Sequence, residues 1–349
     1  MAAEPRTRLA DLAEHAGVST ATVSRVLNAR PGVSPSARRS VLAALDLLGY
    51  DRPERIRSKS SGMIGLVTPE LTNPIFPQFA QAIEDRLIEH DFTTVLCTRT
   101  PGSPTEEDYL TTLFDHDVAG VIFLSGAHAD VTQSHDHYRR LRERGLPIAL
   151  INGFGADVDA PFFATDDAAA MRLAVNHLVH MGHSSVGLAV GPSRYVPASR
   201  KMAAFSEALA SRGLRSDLVV NTTFTVEGGQ AAGTSLIDQD CTAVICGSDM
   251  MALGVIRAAR MRGLSVPDDI SVVGFDDSML MAFTDPPLTS VRQPVDAITK
   301  AATNALIGEI QGDRAVRTEL LFEPELVVRG TTGRAPNWMA LSTSAPTPA

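Results

Sequence analysis

From Met63 onward, short apolar runs alternate with helix-patterned segments, and they do so in two successive sets. The first set runs MIGLV, a helix over 75–90, TTVLC, a helix over 106–114, GVIFLS, a helix over 138–144 and PIALIN. The second begins near Val186 with VGLAV, then a helix over 201–210, a strand near Leu218, a helix from Glu227, TAVICGS, a helix from Met250 and ISVVGF. Near-continuous apolar strands separated by helices form parallel sheets covered on both faces. Two such sets predict two α/β lobes facing a crevice, with ligands held beyond the carboxyl ends of the strands.

That architecture also serves nucleotide enzymes, but no G-x-G-x-x-G follows the first strand and no G-x-x-x-x-G-K-S/T occurs. There is no G-x-S-x-G nucleophile elbow either, so the chain is expected to be non-enzymatic and to need no cofactor. Cys97, Cys241 and Cys246 are odd in number and lack paired short spacings, which argues against a disulfide framework or a structural metal. His177, His180 and His183, and His135 with His137, are not read as a metal site because no acid-rich partner run accompanies them. Met1 to Arg8 lacks the apolar core of an export segment and no window is apolar enough to span a membrane, so the expected compartment is the cytoplasm.

The first 60 residues have a different character. They carry ten basic and six acidic side chains, a net of +4, against 21 and 34 in the remainder, a net of −13. A local basic module on an acidic body suits a nucleic-acid partner better than the overall charge of −9 suggests. Leu9, Leu12, Ala13 and Ala16 make one helical face that Gly17 ends. Ser19 caps a second helix through Val23, Val26 and Leu27, closed by Asn28. Ser34 and Pro35 open a third that stops at Gly49. Three helices around one core are compatible with a generic bundle or with a helix-turn-helix. In the latter, the second helix enters the major groove by its N-terminal end. Thr20, Ala21 and Arg25 then point to base edges, and Ser19, Ser24 and Asn28 suit phosphates. Arg25 can fork onto guanine or, alternatively, grip a phosphate.

The run LADLAEHAGVSTATVSRVLNARPGVSPSARRSVLAALDLLGY resembles the N-terminal domain of LacI/GalR repressors almost position by position. The likeness continues through PELTNPIF, HLVHMGH, SDMMALGVIRAARMRGLSVPDDISVVGFDD and DPPLTSVRQPV, and covers about Leu9 to Gly330. It implies a homodimer that reads a palindromic operator, controlled by a small carbohydrate in the interlobe cleft. It also implies a hinge after Tyr50 that enters the minor groove. The linker DRPERIRSKSSG is shorter than the family's by about three residues, and lacks its usual Ala-Arg-x-Leu segment. Ile56 is its one apolar candidate for the wedge, beside Arg57; the other reading is a flexible basic linker on phosphates.

Residue by residue, the resemblance implies effector contacts at Phe76, Asn152, Phe224, Ser248, Asp249 and Asp276. Aromatic faces suit sugar C–H surfaces, and strand-end donors and acceptors suit hydroxyls. Where the family carries an effector-gripping Arg, this chain has Lys201 beside Arg200, and a lysine cannot reproduce the guanidinium fork. GYDRPERIRS, ELTNPIFPQFAQAIE and FTVEGGQAA look most like actinobacterial repressors of maltose and α-glucan utilisation, which implies maltose or a maltodextrin. The competing readings are a sugar-binding transport receptor, a sugar-modifying enzyme, and a repressor answering a non-sugar effector. The expected organisation is a helix-turn-helix domain over 1–50, a hinge over 51–62, a two-lobed effector and dimerisation domain over 63–330, and a disordered tail over 331–349.

Overall fold

The computed structural model describes residues 9–28, 30, 32–50, 62–99, 102, 104–313 and 315–336. The chain divides into two compact units, one of residues 1–62 with the short segment 87–93 and one of residues 63–86 with 94–349. The hinge residues Ile56 and Arg57 lie outside the described residues.

The first unit holds α1 (Leu9–Ala16), α2 (Thr20–Leu27) and α3 (Pro35–Leu47). Gly17 turns the chain at φ 64, a left-handed value that a side chain resists. Ser19 then accepts from Thr22 N at 3.1 Å and starts α2, and Ser34 does the same for α3 through Ala37 N at 3.2 Å. Leu12, Val23, Val26, Val41 and Leu45 bury their side chains together, so one face of each helix builds the core.

The second unit has two six-stranded sheets. In the first lobe β1 (Gly62–Thr68), β2 (Phe92–Thr98), β3 (Gly120–Leu124), β4 (Ile148–Ile151), β5 (Phe162–Thr165) and β11 (Glu319–Phe322) lie in the order β11-β5-β4-β3-β1-β2. In the second lobe β6 (Val186–Val190), β7 (Val219–Asn221), β8 (Ala243–Cys246), β9 (Ser271–Asp276), β10 (Thr289–Arg292) and β12 (Glu325–Val327) lie in the order β12-β10-β9-β8-β6-β7. Helices α4 (Ile75–Glu89), α5 (Glu106–Asp115), α6 (Asp136–Glu143) and α11 (Val295–Ile310) belong to the first lobe. Helices α7 (Asp167–His180), α8 (Val196–Ala210), α9 (Val226–Ile237) and α10 (Asp249–Met261) belong to the second.

Two α/β lobes match the expectation, with two differences. The second sheet is not wholly parallel, because β12 pairs antiparallel with β10 at Ser290 and Val327. The lobes are also not consecutive in sequence. The chain crosses between them after β5, again between β10 and α11, and a third time between β11 and β12. The sequence reading does not assign β5, α7 or the four elements from β10 to β12; the strands FFAT, TSVR, ELLF and ELV are too short for a clear periodic signal, but α7 and α11 are long helices that it leaves out.

Residues 331–336, expected to belong to a disordered tail, are packed on the second lobe, and the rest of that expected tail lies outside the described residues. Thr331 Oγ1 donates to Val272 O and accepts from Thr289 N at 2.8 Å. His177 Nε2 bonds Thr332 Oγ1 at 2.9 Å, and Ala335 N donates to Met181 O at 3.0 Å. Two buried hydroxyls and an N–H thus find partners on the second lobe, which offsets the entropy of ordering the segment.

Candidate functional site

In the first unit α2 presents Ser19, Thr20 and Ala21 at its N-terminal end and Arg25 in its last turn as exposed residues, while Ser24 is half-buried. The alternation follows from helical spacing, since Val23 and Val26 must face the core. Ser19 Oγ is engaged as the cap, and Asn28 Nδ2 donates to Ser24 O at 2.8 Å, closing the other end of the helix. Thr20, Ala21 and Arg25 therefore remain as the side chains free of such end-capping duty on that face.

In the second unit a cavity of about 610 Å³ opens between the lobes. Its wall comes from residues just beyond the strand ends: Asn73 after β1, Gly126 after β3, Asn152 after β4, Tyr195 after β6, Ser248 after β8 and Asp276 closing β9. The strand-end rule places these groups, because the sheets stop where the loops of the two lobes face each other.

Asp276 is the most constrained of them. It is 4% exposed and has φ 116, a strained value for a residue with a side chain. Oδ1 accepts from Gln293 Nε2 at 2.7 Å and the Asn73 side chain leans on the carboxyl, while Oδ2 finds no well-aligned hydrogen-bond partner among the described residues. Burial, and then the nearby charge of Asp249, push the carboxyl well above the usual carboxylate range. A buried carboxyl oxygen on a cavity wall with no well-aligned partner is open to a ligand hydroxyl, as acceptor or, when protonated, as donor.

Lys201 and Arg200 both reach the wall but have separate duties. Lys201 Nζ is bonded to Asp167 Oδ1 and lies 3.8 Å from the centre of the Phe275 ring, so its charge is balanced within the cleft floor. Burial raises the Asp167 carboxyl against the opposing pull of Lys201. Arg200 forks onto Glu319 of β11, with Nη2 to Oε2 at 2.9 Å, and thereby ties α8 of the second lobe to the first. Phe76 and Phe224 both line the cleft. A Cβ on Gly191 would lie 2.0 Å from the Phe224 ring and one on Gly247 3.4 Å from it, so at Gly191 only glycine leaves the ring its place. Asn152 holds φ 59 and Ser248 Oγ caps α10, so both are fixed by the backbone turn at their strand ends.

Asp249 departs from the expectation. It is not part of the cavity wall. Its Oδ1 accepts from Ser290 Oγ at 2.6 Å and its Oδ2 from Ser278 N at 2.7 Å. As the first residue of α10 it ties Ser290 of β10 to the turn after β9. Burial pushes its carboxyl up to about 6 despite the bonds from Ser290 and Ser278.

The sequence reading missed Asp130, Arg194, Tyr195, Gln293 and Arg99, all of which line the cleft. Arg194 Nε donates to Asp130 Oδ2 at 3.0 Å, and Val131 N donates to Arg194 O at 2.9 Å, so a first-lobe loop is clasped to a second-lobe loop. The signal for these residues was present, since each follows a strand end, but their loops carry no pattern that singles them out. Behind the wall, buried Glu106 accepts from Ala127 N at 2.9 Å, Arg99 Nη1 at 3.0 Å, Tyr138 Oη and His137 Nε2. Burial alone would raise its carboxyl; the bonds from His137 and Tyr138 outweigh that and hold it at about 2.

Residues 8–53 match the family described as bacterial regulatory proteins, lacI family, and residues 175–332 match a periplasmic binding protein-like domain. The transcriptional regulator MalR of Streptomyces coelicolor is 56% identical over 336 residues, covering 95% of this chain and 98% of its own length. The chain belongs to the lacI family of bacterial regulatory proteins. Another family member, reg1 of Streptomyces lividans, is 56% identical over 337 residues, 95% of this chain and 98% of its own. Among solved structures, the lacI-family chain superposes on the regulator CelR in complex with cellobiose with a TM-score of 0.70 and 30% identity, over 93% of this chain and all of that one (100%). A lac repressor dimer bound to operator and the anti-inducer ONPF gives a TM-score of 0.68 at 28% identity, over 94% and 100% of the two chains.

Proposed function

We propose that this lacI-family chain is a sugar-responsive transcriptional repressor that binds a palindromic operator as a homodimer. Its effector is maltose or a related maltodextrin held between the lobes. The observation that carries the reading is the buried oxygen of Asp276, without a well-aligned partner, in a cleft walled by Phe76 and Phe224. A carboxyl oxygen open to a hydroxyl beside apolar ring faces is the chemistry a carbohydrate needs. A cavity of about 610 Å³ has room for more than one sugar ring. The name of the MalR relative supports maltose, and the CelR complex supports a disaccharide at this place in the fold.

Thr20, Ala21 and Arg25 read bases in the major groove, with Ser19, Ser24 and Asn28 near phosphates. Ile56 wedges the minor groove beside Arg57. Ile56→Ala then reduces both operator affinity and DNA bending, and unchanged bending by the variant removes the wedge from the account. Sugar binding changes the lobe angle and so the match of two headpieces to two half-sites. The protein acts by binding rather than turnover, in the cytoplasm; no described helix is long and apolar enough to cross a membrane.

The test is a DNA mobility-shift assay with a carbohydrate panel. Specific retardation that maltose or maltotriose alters is the expected result. Absence of specific DNA binding under every condition would sink the repressor reading, and a response confined to other sugars would sink maltose.

A further inference from the structure

Among the groups around the cleft, Gln293 stands out because it belongs at once to the ligand wall and to the chain crossings between lobes. It follows β10 directly and precedes α11, so it occupies the second crossing. Thr165 ends β5 and begins the first crossing, and Asp276 closes β9 on the cleft wall. One carboxamide joins all three. Thr165 Oγ1 donates to Gln293 Oε1 at 2.9 Å, and Gln293 Nε2 donates to Asp276 Oδ1 at 2.7 Å. The third crossing is bonded to the first by its backbone, Asp166 N to Phe322 O at 2.8 Å.

The carboxamide is the only member that must both donate and accept: its nitrogen gives to Asp276 Oδ1 and its oxygen receives from the hydroxyl of Thr165, while a carboxyl kept neutral by burial carries its proton on Oδ2, towards the cleft. All three side chains are buried, at 3%, 7% and 4% exposure, and they border the cleft, so a bond that breaks can be replaced only from the cleft side, where a ligand would sit. A ligand hydroxyl reaching Oδ2 from the cleft moves the same carboxyl whose other oxygen Gln293 holds. That displacement cannot be absorbed locally without orphaning a buried group.

We infer that Gln293 is the positioning residue that couples occupancy of the cleft to the angle between the lobes, acting through Thr165 on the crossings rather than on the ligand. The inference rests on the sugar-responsive repressor reading, and it names the internal connection which that reading requires. Arg200 and Lys201 do not fill this place, since Arg200 joins α8 to β11 outside the crossings and Lys201 is bonded to Asp167 on its own lobe's helix.

The experiment measures maltose affinity by calorimetry with and without an operator selected by the wild-type protein from random DNA. It compares wild type, Thr165→Val, Gln293→Met and the double variant. Thr165→Val keeps shape and loses one bond, which guards against a folding defect in Gln293→Met. Linkage predicts a wild-type ratio of the two affinities of roughly 5- to 150-fold, falling below about 3-fold in each single variant and no further in the double. A purely structural role would weaken maltose binding equally in DNA-free and DNA-bound protein and leave the ratio intact. A retained ratio in both single variants overturns the inference while the repressor reading stands. A wild-type ratio of one, or no maltose binding by the wild type, overturns the functional reading and the inference together.

Discussion

Asp276 was legible in the sequence because it ends an apolar strand directly, and the structure gives that position a buried carboxyl oxygen with no well-aligned partner among the described residues. Asp249 looked equivalent from its place after TAVICGS, yet one residue further along the turn its side chain faces the loops behind the wall. Strand-end position fixes the neighbourhood of a residue, not the direction of its side chain. Gly191 carried no message alone; only the Phe224 ring shows why it lacks a side chain. Gly191→Ala should displace that ring and weaken effector binding by tenfold or more, about 1.4 kcal/mol, read by calorimetry. Unchanged affinity would remove Phe224 from the site. On the DNA-facing side, Arg25→Ala should cost about 1–3 kcal/mol of discrimination at one base pair if the guanidinium forks onto guanine. If Arg25 grips a phosphate instead, binding falls evenly across sequences and the slope of affinity against salt drops by about 1.

At the scale of elements, the caps were the clearest text. Ser19, Ser34, Gly17 and Gly49 stand where the helix ends lie. The loop between β3 and α6 was opaque, because its order comes from the buried Glu106 of α5 upstream and the hydroxyl of Tyr138 in α6, contacts that no local pattern announces. This loop should also set the acid limit of the first lobe. Burial lowers the His128 imidazole to about 4, with Nε2 donating to Ile151 O at 3.0 Å. A histidine whose folded value lies below its ordinary 6.5 contributes stability above that pH and loses it as pH falls towards 4. Glu106, held at about 2 against its ordinary 4.5, adds a second loss below pH 4.5. Asp249 has the opposite sign: raised to about 6 from 3.8, it favours folding at low pH and loses that contribution as pH rises through this window. The contributions oppose one another between pH 6.5 and 4, so the test is a difference: as pH falls through this window the urea midpoint of His128→Gln should drop less than that of the wild type. An identical slope in the variant would assign the acid sensitivity elsewhere.

For the whole molecule, the division into a basic headpiece and an acidic two-lobed body was readable from charge and periodicity. The interleaving of the lobes was not, since it depends on which sheet each late strand joins, a long-range matter that local patterns do not encode. The clasp between Asp130 and Arg194 was hidden for the same reason. Arg194→Ala should release a bound sugar faster, on the order of tenfold, with little change in the association rate. A stopped-flow measurement with unaltered dissociation would show that the clasp does not hold the lobes shut.

The three crossings also bear on how the protein is made. The ribosome delivers β5 long before α11 and β11, the elements that cover and extend its sheet. At roughly 5–20 residues per second, about 8–30 s of synthesis separates Thr165 from Phe322. During that interval the first lobe exposes the free edge of β5 and bare apolar faces of β3 and β4. Its completion is thus timed by the arrival of nearly the last folded segment of the chain.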